Sequence, residues 1–102
     1  MDFKIIKSPS DGVVNMIQNR LPKSRIRVDL KYDSVGLLQG KLSEMLWAAD
    51  IAEKAADVTV EEIMGICPQH IAMIAIMGDT FSVETAIGAL KAAFNDALNE
   101  GF

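Results

Sequence analysis

The run Gly65-Ile66-Cys67-Pro68-Gln69 holds the only cysteine of the chain and is followed at once by its only histidine, His70. A thiolate ligates soft metals and iron-sulfur clusters, and the proline after it removes a backbone donor while biasing Cys67 toward an extended conformation. One cysteine does not hold a cluster alone. Full thiolate ligation takes about four, so the ligands would have to come from several copies of the chain meeting on a symmetry axis. Against that stands the commoner role of a free cysteine, a small buried hydrophobe.

No other group competes as a reaction centre. Glu61 and Glu62 are neighbours and project to opposite faces of a strand, and Asp96 and Glu100 merely follow a helix face. The chain carries neither a phosphate-cradling glycine loop nor a nucleophile-base signature, so an enzyme is not expected.

With 102 residues, half of them apolar, the chain reads as one domain that gains from burying surface against copies of itself. Its net charge of -4 gives no broad electrostatic footprint for nucleic acid. Lys23 to Lys31 is locally basic, but Arg25, Arg27 and Lys31 alternate with Ile26, Val28 and Leu30 as on the solvated face of a strand. No segment approaches the roughly 20 apolar residues of a membrane span, and no apolar secretory leader opens the chain. The expected location is the cytoplasm, where a lone cysteine is left with packing, reactivity or metal binding.

The elements around the cysteine follow from periodicity. Phe3 to Ile6 is a short strand closed by Ser8-Pro9-Ser10, and Ser10 caps an amphipathic helix from Asp11 to Leu21, which Pro22 ends. Arg25 to Tyr32 alternates as a strand, and Ser34 to Gln39 is a second extended run; one interrupted strand and a strand with its lead-in both fit. A helix from about Leu42 to Ala56 places Leu42, Met45, Leu46, Ala49 and Ala52 on one stripe, with Trp47 and Ile51 on another flank. Trp47 is expected either to cover its own core or to meet a neighbouring subunit.

Val58 to Met64 and His70 to Met77 then form two strands flanking the cysteine run. After the turn at Gly78-Asp79-Thr80, with Ser82 as a candidate cap, the last helix carries Val83, Ala86, Ile87, Leu90, Phe94, Ala97 and Leu98 on one stripe. The order strand, helix, strand, helix, strand, strand, helix predicts an α/β sandwich, a mostly antiparallel sheet with helices over one face.

The stretch Ala48-Ala49-Asp50-Ile51-Ala52-Glu53-Lys54-Ala55-Ala56-Asp57-Val58, two strands, then Gly78-Asp79 and Ser82-Val83-Glu84-Thr85-Ala86 resembles the shell-protein domain of bacterial microcompartments, the BMC domain. The resemblance covers roughly half the chain. It implies a ferredoxin-like sandwich. In the usual family order a strand and short helix close the domain; here such a pair, within residues 1–22, precedes the remaining core, residues 23–102, so the chain is similar to the circularly permuted branch.

Gly65 to Gln69 also resembles the Gly-x-Cys-Pro-Gln motif of a divergent group from glycyl-radical propanediol-utilising microcompartments. That likeness implies a homohexamer in which Gly65, Ile66, Cys67, Pro68 and Gln69 line a central pore and Cys67 binds an iron-sulfur cluster. The cluster would be of the four-iron type, shared between subunits, and would serve electron transfer or pore gating. The thiols of a hexamer outnumber the roughly four such a cluster takes, so binding would break the ring's symmetry. Ile66 amides could donate to cluster sulfurs, and Gly65 would let the chain pass close to the axis. His70 would be an alternate ligand or a pH-sensitive gate, or simply a polar residue opening a strand.

Lys54 aligns with the lysine that family hexamers place at their edges for side-by-side tiling. The implied partners are other shell proteins and encapsulated redox enzymes, with neither nucleic acid nor membrane. Two alternatives stand beside this: an unmetallated metabolite-pore shell protein, and a small α/β ligand-binding regulatory module.

Overall fold

The computed structural model describes residues 2–21, 32–64 and 71–99. Among them run β1 (Asp2–Lys7), α1 (Asp11–Gln18), β2 (Ser34–Lys41), α2 (Leu42–Ala55), β3 (Thr59–Ile63), β4 (Ile71–Gly78) and α3 (Thr80–Asn99). This is the element order expected from periodicity, apart from the proposed strand at Arg25 to Tyr32. Residues 25–31 of that stretch lie outside the described residues, and Tyr32 is not part of a strand.

The strands form one sheet in the order β1-β2-β4-β3, every neighbouring pair antiparallel. Register fixes the faces, because directly paired residues point the same way. Gly36 pairs with Ile5 and Ile76, and Ile76 with Val60; one residue along, Leu37 pairs with Lys4 and Ala75, and Ala75 with Glu61. Consecutive rows therefore face opposite sides, and Glu61 and Glu62 do too.

The helices do not all cover one face, and that expectation is corrected here. Helices α2 and α3 bury Met45, Ala48, Ala52, Val83, Ala86, Ile87 and Leu90 against Leu38, Ile74 and Ile76. On the opposite face Ile17 of α1 packs with Leu21, Val35, Ala75 and Met77. Strands with both faces covered carry apolar residues on both, which is why β4 reads as a near-continuous hydrophobic run and Val35, Leu37 and Leu38 of β2 fall on both faces.

The buried stripe of α2 also differs from the expected one. Met45, Ala48 and Ala52 are buried, whereas Leu42 and Leu46 are 49% and 65% exposed. Trp47 turns to α3, where its ring meets Phe94 edge to face. The ring is still 44% exposed, so within its own chain Trp47 covers α3 only in part.

Two caps show the local rules at work. Ser10 Oγ accepts the Val13 N–H at 3.3 Å, the expected first cap. At α3 the capping residue is Asp79 rather than Ser82: its carboxylate accepts from the Ser82 N–H at 3.1 Å and from Ser82 Oγ–H at 2.7 Å. Those two bonds hold the Asp79 carboxyl below the ordinary carboxylate range. Ser82 is thus the residue being bonded in the first turn, three residues after the cap.

Gly36 is where α3 approaches the sheet. A Cβ there would lie 3.0 Å from Ile87 Cδ1 and 3.4 Å from Val83 Cγ1. Beside it, fully buried Ser34 is satisfied by Thr80, with the two hydroxyl oxygens 2.7 Å apart.

Candidate functional site

Gly65, Ile66, Cys67, Pro68, Gln69 and His70 lie outside the described residues. The residues that hold both ends of this segment are described. Ile63 ends β3 and Ile71 begins β4, and both strands belong to the same sheet. The segment between them therefore leaves and re-enters one end of that sheet.

That end has a definite composition. Ile71 pairs with Lys41, the last residue of β2, and Leu42 follows at once as the first residue of α2. The turn is held by Glu44, whose Oε1 accepts the Lys41 N–H at 3.0 Å. Asp2, at the start of β1, pairs with Gln39 two residues upstream. Ile71, the first described residue after the cysteine run, is thus placed beside the β2 to α2 junction by strand register alone.

Apolar side chains collect there without being covered. Met64, directly before the segment, is 52% exposed, and Ile71, directly after it, is also on the surface, as is Leu42. Exposed apolar residues gathered at one end of a small domain mark a surface that works in contact with another molecule.

Met64 is also bonded to the chain just past α1. The Met64 N–H donates to the Arg20 carbonyl at 2.6 Å, just past the C-terminal cap of α1 at Asn19. Between α1 and the sheet lies an apolar groove of about 240 Å³, lined by Val13, Met16, Ile17 and Arg20 on one side and Leu37, Ile63 and Met73 on the other. Neither the bond nor the groove has a signal in the sequence. The bond joins two backbone groups, and the groove depends on α1 lying on the face opposite the other helices.

Among the described residues no group of three or more His, Cys, Asp or Glu side chains is placed to hold a metal ion. The sequence holds one cysteine, so thiolate ligation of an iron-sulfur cluster would need several chains to contribute. No described helix is long and apolar enough to cross a membrane.

Lys54, the expected tiling residue, sits in the last turn of α2 with 76% of its side chain exposed, and its ammonium lies 2.9 Å from the Asp50 carboxylate one turn back. The structure places it well along α2 from the Leu42 end, so it is not part of the site at Met64 and Ile71.

Comparison with known proteins gives this geometry its setting. The family model of the BMC domain matches residues 34–101, starting at the first residue of β2. Helix α1 and strand β1 precede the matched region. A ligand-free structure of the GrpU microcompartment shell protein from Clostridiales bacterium 1_7_47FAA is 36% identical, with 98% of this chain and 99% of that chain covered and a TM-score of 0.73. The corresponding GrpU shell protein from Pectobacterium wasabiae is 26% identical over 88% of this chain and 99% of its own, with a TM-score of 0.72. A fused permuted hexameric shell protein from the RMM microcompartment shares the fold at 14% identity and a TM-score of 0.70, this chain covering 92% of itself and 45% of that longer one. No curated protein matches. The chain belongs to the BMC-domain family of microcompartment shell proteins, in the circularly permuted arrangement.

Proposed function

We propose that this protein is a noncatalytic shell tile that assembles as a homohexamer and presents Cys67 at the central pore to hold an iron-sulfur cluster. The observation that supports the reading is that β3 ends at Ile63 and β4 begins at Ile71 at an end of the sheet where Leu42, Met64 and Ile71 are exposed, with Gly65 to Gln69 falling between the two strands in the sequence. A ring built through that end brings the cysteine segments of neighbouring chains together, which is the condition a single-thiol donor set imposes.

In this reading Cys67 is the ligand, Gly65 and Ile66 bring backbone close to the axis, and Pro68 and Gln69 complete the pore lining. The cluster, when bound, would supply one-electron chemistry at the pore, for passing electrons across the shell or for redox control of passage. Lys54 stands on the hexamer edge and makes side-by-side contacts in the layer. The setting proposed is a glycyl-radical propanediol microcompartment, with encapsulated redox enzymes as electron partners.

The test is anaerobic purification of the wild type and Cys67→Ser, with iron and acid-labile sulfide counted per oligomer beside visible absorbance and electron paramagnetic resonance. The expected result is about one cluster per ring, lost in Cys67→Ser while the oligomer persists. Intact rings without iron would make the protein an unmetallated metabolite pore. A full cluster in Cys67→Ser would overturn the ligand assignment.

A further inference from the structure

The face of the sheet that carries α1 is covered incompletely. Ile17 is the buried residue of that helix, and the apolar groove of about 240 Å³ beside it exposes part of Leu37, Ile63 and Met73, all three of which stay half-buried. A recess of this size is far above the water-sized voids that close-packed interiors leave.

The lining holds one charged residue, Arg20. Its side chain is exposed, and Nη1–H donates to the Met16 carbonyl at 3.0 Å, which holds the guanidinium beside the groove while leaving its other donors unused by that bond. The ion pairs found among the described residues, Lys7 with Glu84 and Lys54 with Asp50, do not involve it. Apolar walls with one placed polar group are the composition of a small-molecule site.

We infer that the groove between α1 and the sheet binds a small amphipathic carboxylate, its apolar body against Leu37, Ile63 and Met73 and its carboxylate on the Arg20 guanidinium. The inference goes beyond the pore reading and uses neither Cys67 nor iron.

Size argues for the class of ligand. A cavity of about 150 Å³ takes a benzene-sized body, and drug-sized ligands fill about 300 Å³ or more. The groove lies between these, with room for one ring or short chain and a single head group. The charge of that head group follows from Arg20, because a planar guanidinium pairs with a carboxylate through parallel N–H···O bonds that a neutral or cationic group does not match. The whole chain carries a net charge of -4, so attraction for an anion is local to this residue. Met16 on the helix and Met73 on the sheet contribute to opposite walls, and their unbranched thioethers adjust to bodies of differing outline. Selection therefore falls on the carboxylate more than on one shape of tail.

The experiment is isothermal titration calorimetry on the full-length protein with 3-phenylpropionate, its neutral amide and acetate, with sedimentation velocity on the same samples. The acid should saturate one site per chain. The amide should bind about tenfold more weakly, the factor for losing a charge-assisted hydrogen bond. Acetate, which has no apolar body, should bind at least about tenfold more weakly than the acid. Arg20→Gln should bring the acid down to the affinity of the amide and leave the amide unchanged, and Arg20→Lys, with the charge but not the fork, should fall between. Met16→Ala, at a position 57% exposed, should weaken acid and amide by a common factor and preserve the preference between them. Phe81→Ala, outside the lining and 79% exposed, should change neither.

No saturable binding in the wild type would overturn the inference, as would a preference for the acid that survives Arg20→Gln. Acetate binding as tightly as 3-phenylpropionate would reduce the site to a surface charge and remove the groove from it. If Arg20→Gln or Met16→Ala changes the sedimentation and leaves the titration unchanged, the groove seats a second copy of this chain instead of a small carboxylate. None of these readings depends on iron, so failure here and failure of the pore reading are separate results.

Discussion

The rings of Trp47 and Phe94 meet edge to face, their centroids 4.9 Å apart and their planes at 70°. That contact ties α2 to α3 outside the buried stripe of Met45, Ala48 and Ala52, while Leu46, the residue before Trp47, is 65% exposed. Trp47→Ala should destabilise the fold by about 2 kcal/mol, half the usual cost of truncating a buried aromatic because the ring is 44% exposed. A double-mutant cycle with Phe94→Ala, followed by circular dichroism in urea, should return a coupling of about 1 kcal/mol. Additive losses would mean that the two rings are neighbours without interacting. Leu46→Ala should cost less than about 0.5 kcal/mol, as for other exposed positions.

Gly36 sits under α3 with Ile87 and Val83 already at contact distance from an added methyl group. Gly36→Val places a branched side chain where those atoms are, and the expected penalty is about 1–3 kcal/mol from overpacking. A chemical-denaturation midpoint equal to that of the wild type would show that α3 moves away without cost. Gly88, on the same helix but with open space around its Cβ position, accepts alanine freely and should gain stability by up to about 1 kcal/mol from helix propensity.

Much of this architecture is legible in the sequence, because strand alternation and the Ser-Pro-Ser and Gly-Asp-Thr breakers are local signals. The placement of α1 is different. Nothing within Asp11 to Leu21 says which side of the sheet it covers, yet the apolar runs of β2 and β4 hold the clue, since residues buried on both faces cannot alternate with polar ones. The face of α2 was harder to read because Ala48 carries little hydrophobic weight while exposed Leu42 and Leu46 carry much. The exposure of those leucines is a property of the single chain, and assembly is what it points to. For the candidate site, the motif is visible in the sequence but the bond between Met64 and Arg20 and the pairing of Ile71 with Lys41 come only from register and topology.

Asp79 gives the fold a dependence on acid. Its carboxyl is held below its ordinary range by the two bonds from Ser82, so its folded pKa lies under its unfolded one. The stabilisation is then fully present above the unfolded value and is lost as pH falls through the folded one. Melting temperature should therefore drop between about pH 4, the ordinary aspartate value, and lower pH, with part of that drop absent in Asp79→Ala. At neutral pH the same variant should melt earlier because α3 loses its cap. An unchanged acid slope in the variant would assign the acid sensitivity to other carboxylates.

Lys54 separates assembly from folding. Its bond to Asp50 joins two well-exposed side chains one helical turn apart, and such pairs contribute about 0.3–0.5 kcal/mol. Lys54→Ala should leave the melting temperature and the size of the ring unchanged. If Lys54 makes edge contacts between hexamers, the variant should form isolated rings where the wild type forms extended layers under electron microscopy at the same protein concentration. Asp50→Ala is the complementary case, since it frees the ammonium from its intrachain partner and keeps the charge available for the edge; layers should persist. Layers persisting in Lys54→Ala as well would remove the lysine from the tiling contact and transfer attention to the exposed leucines of α2, where Leu46→Glu then tests whether apolar burial holds neighbouring chains together.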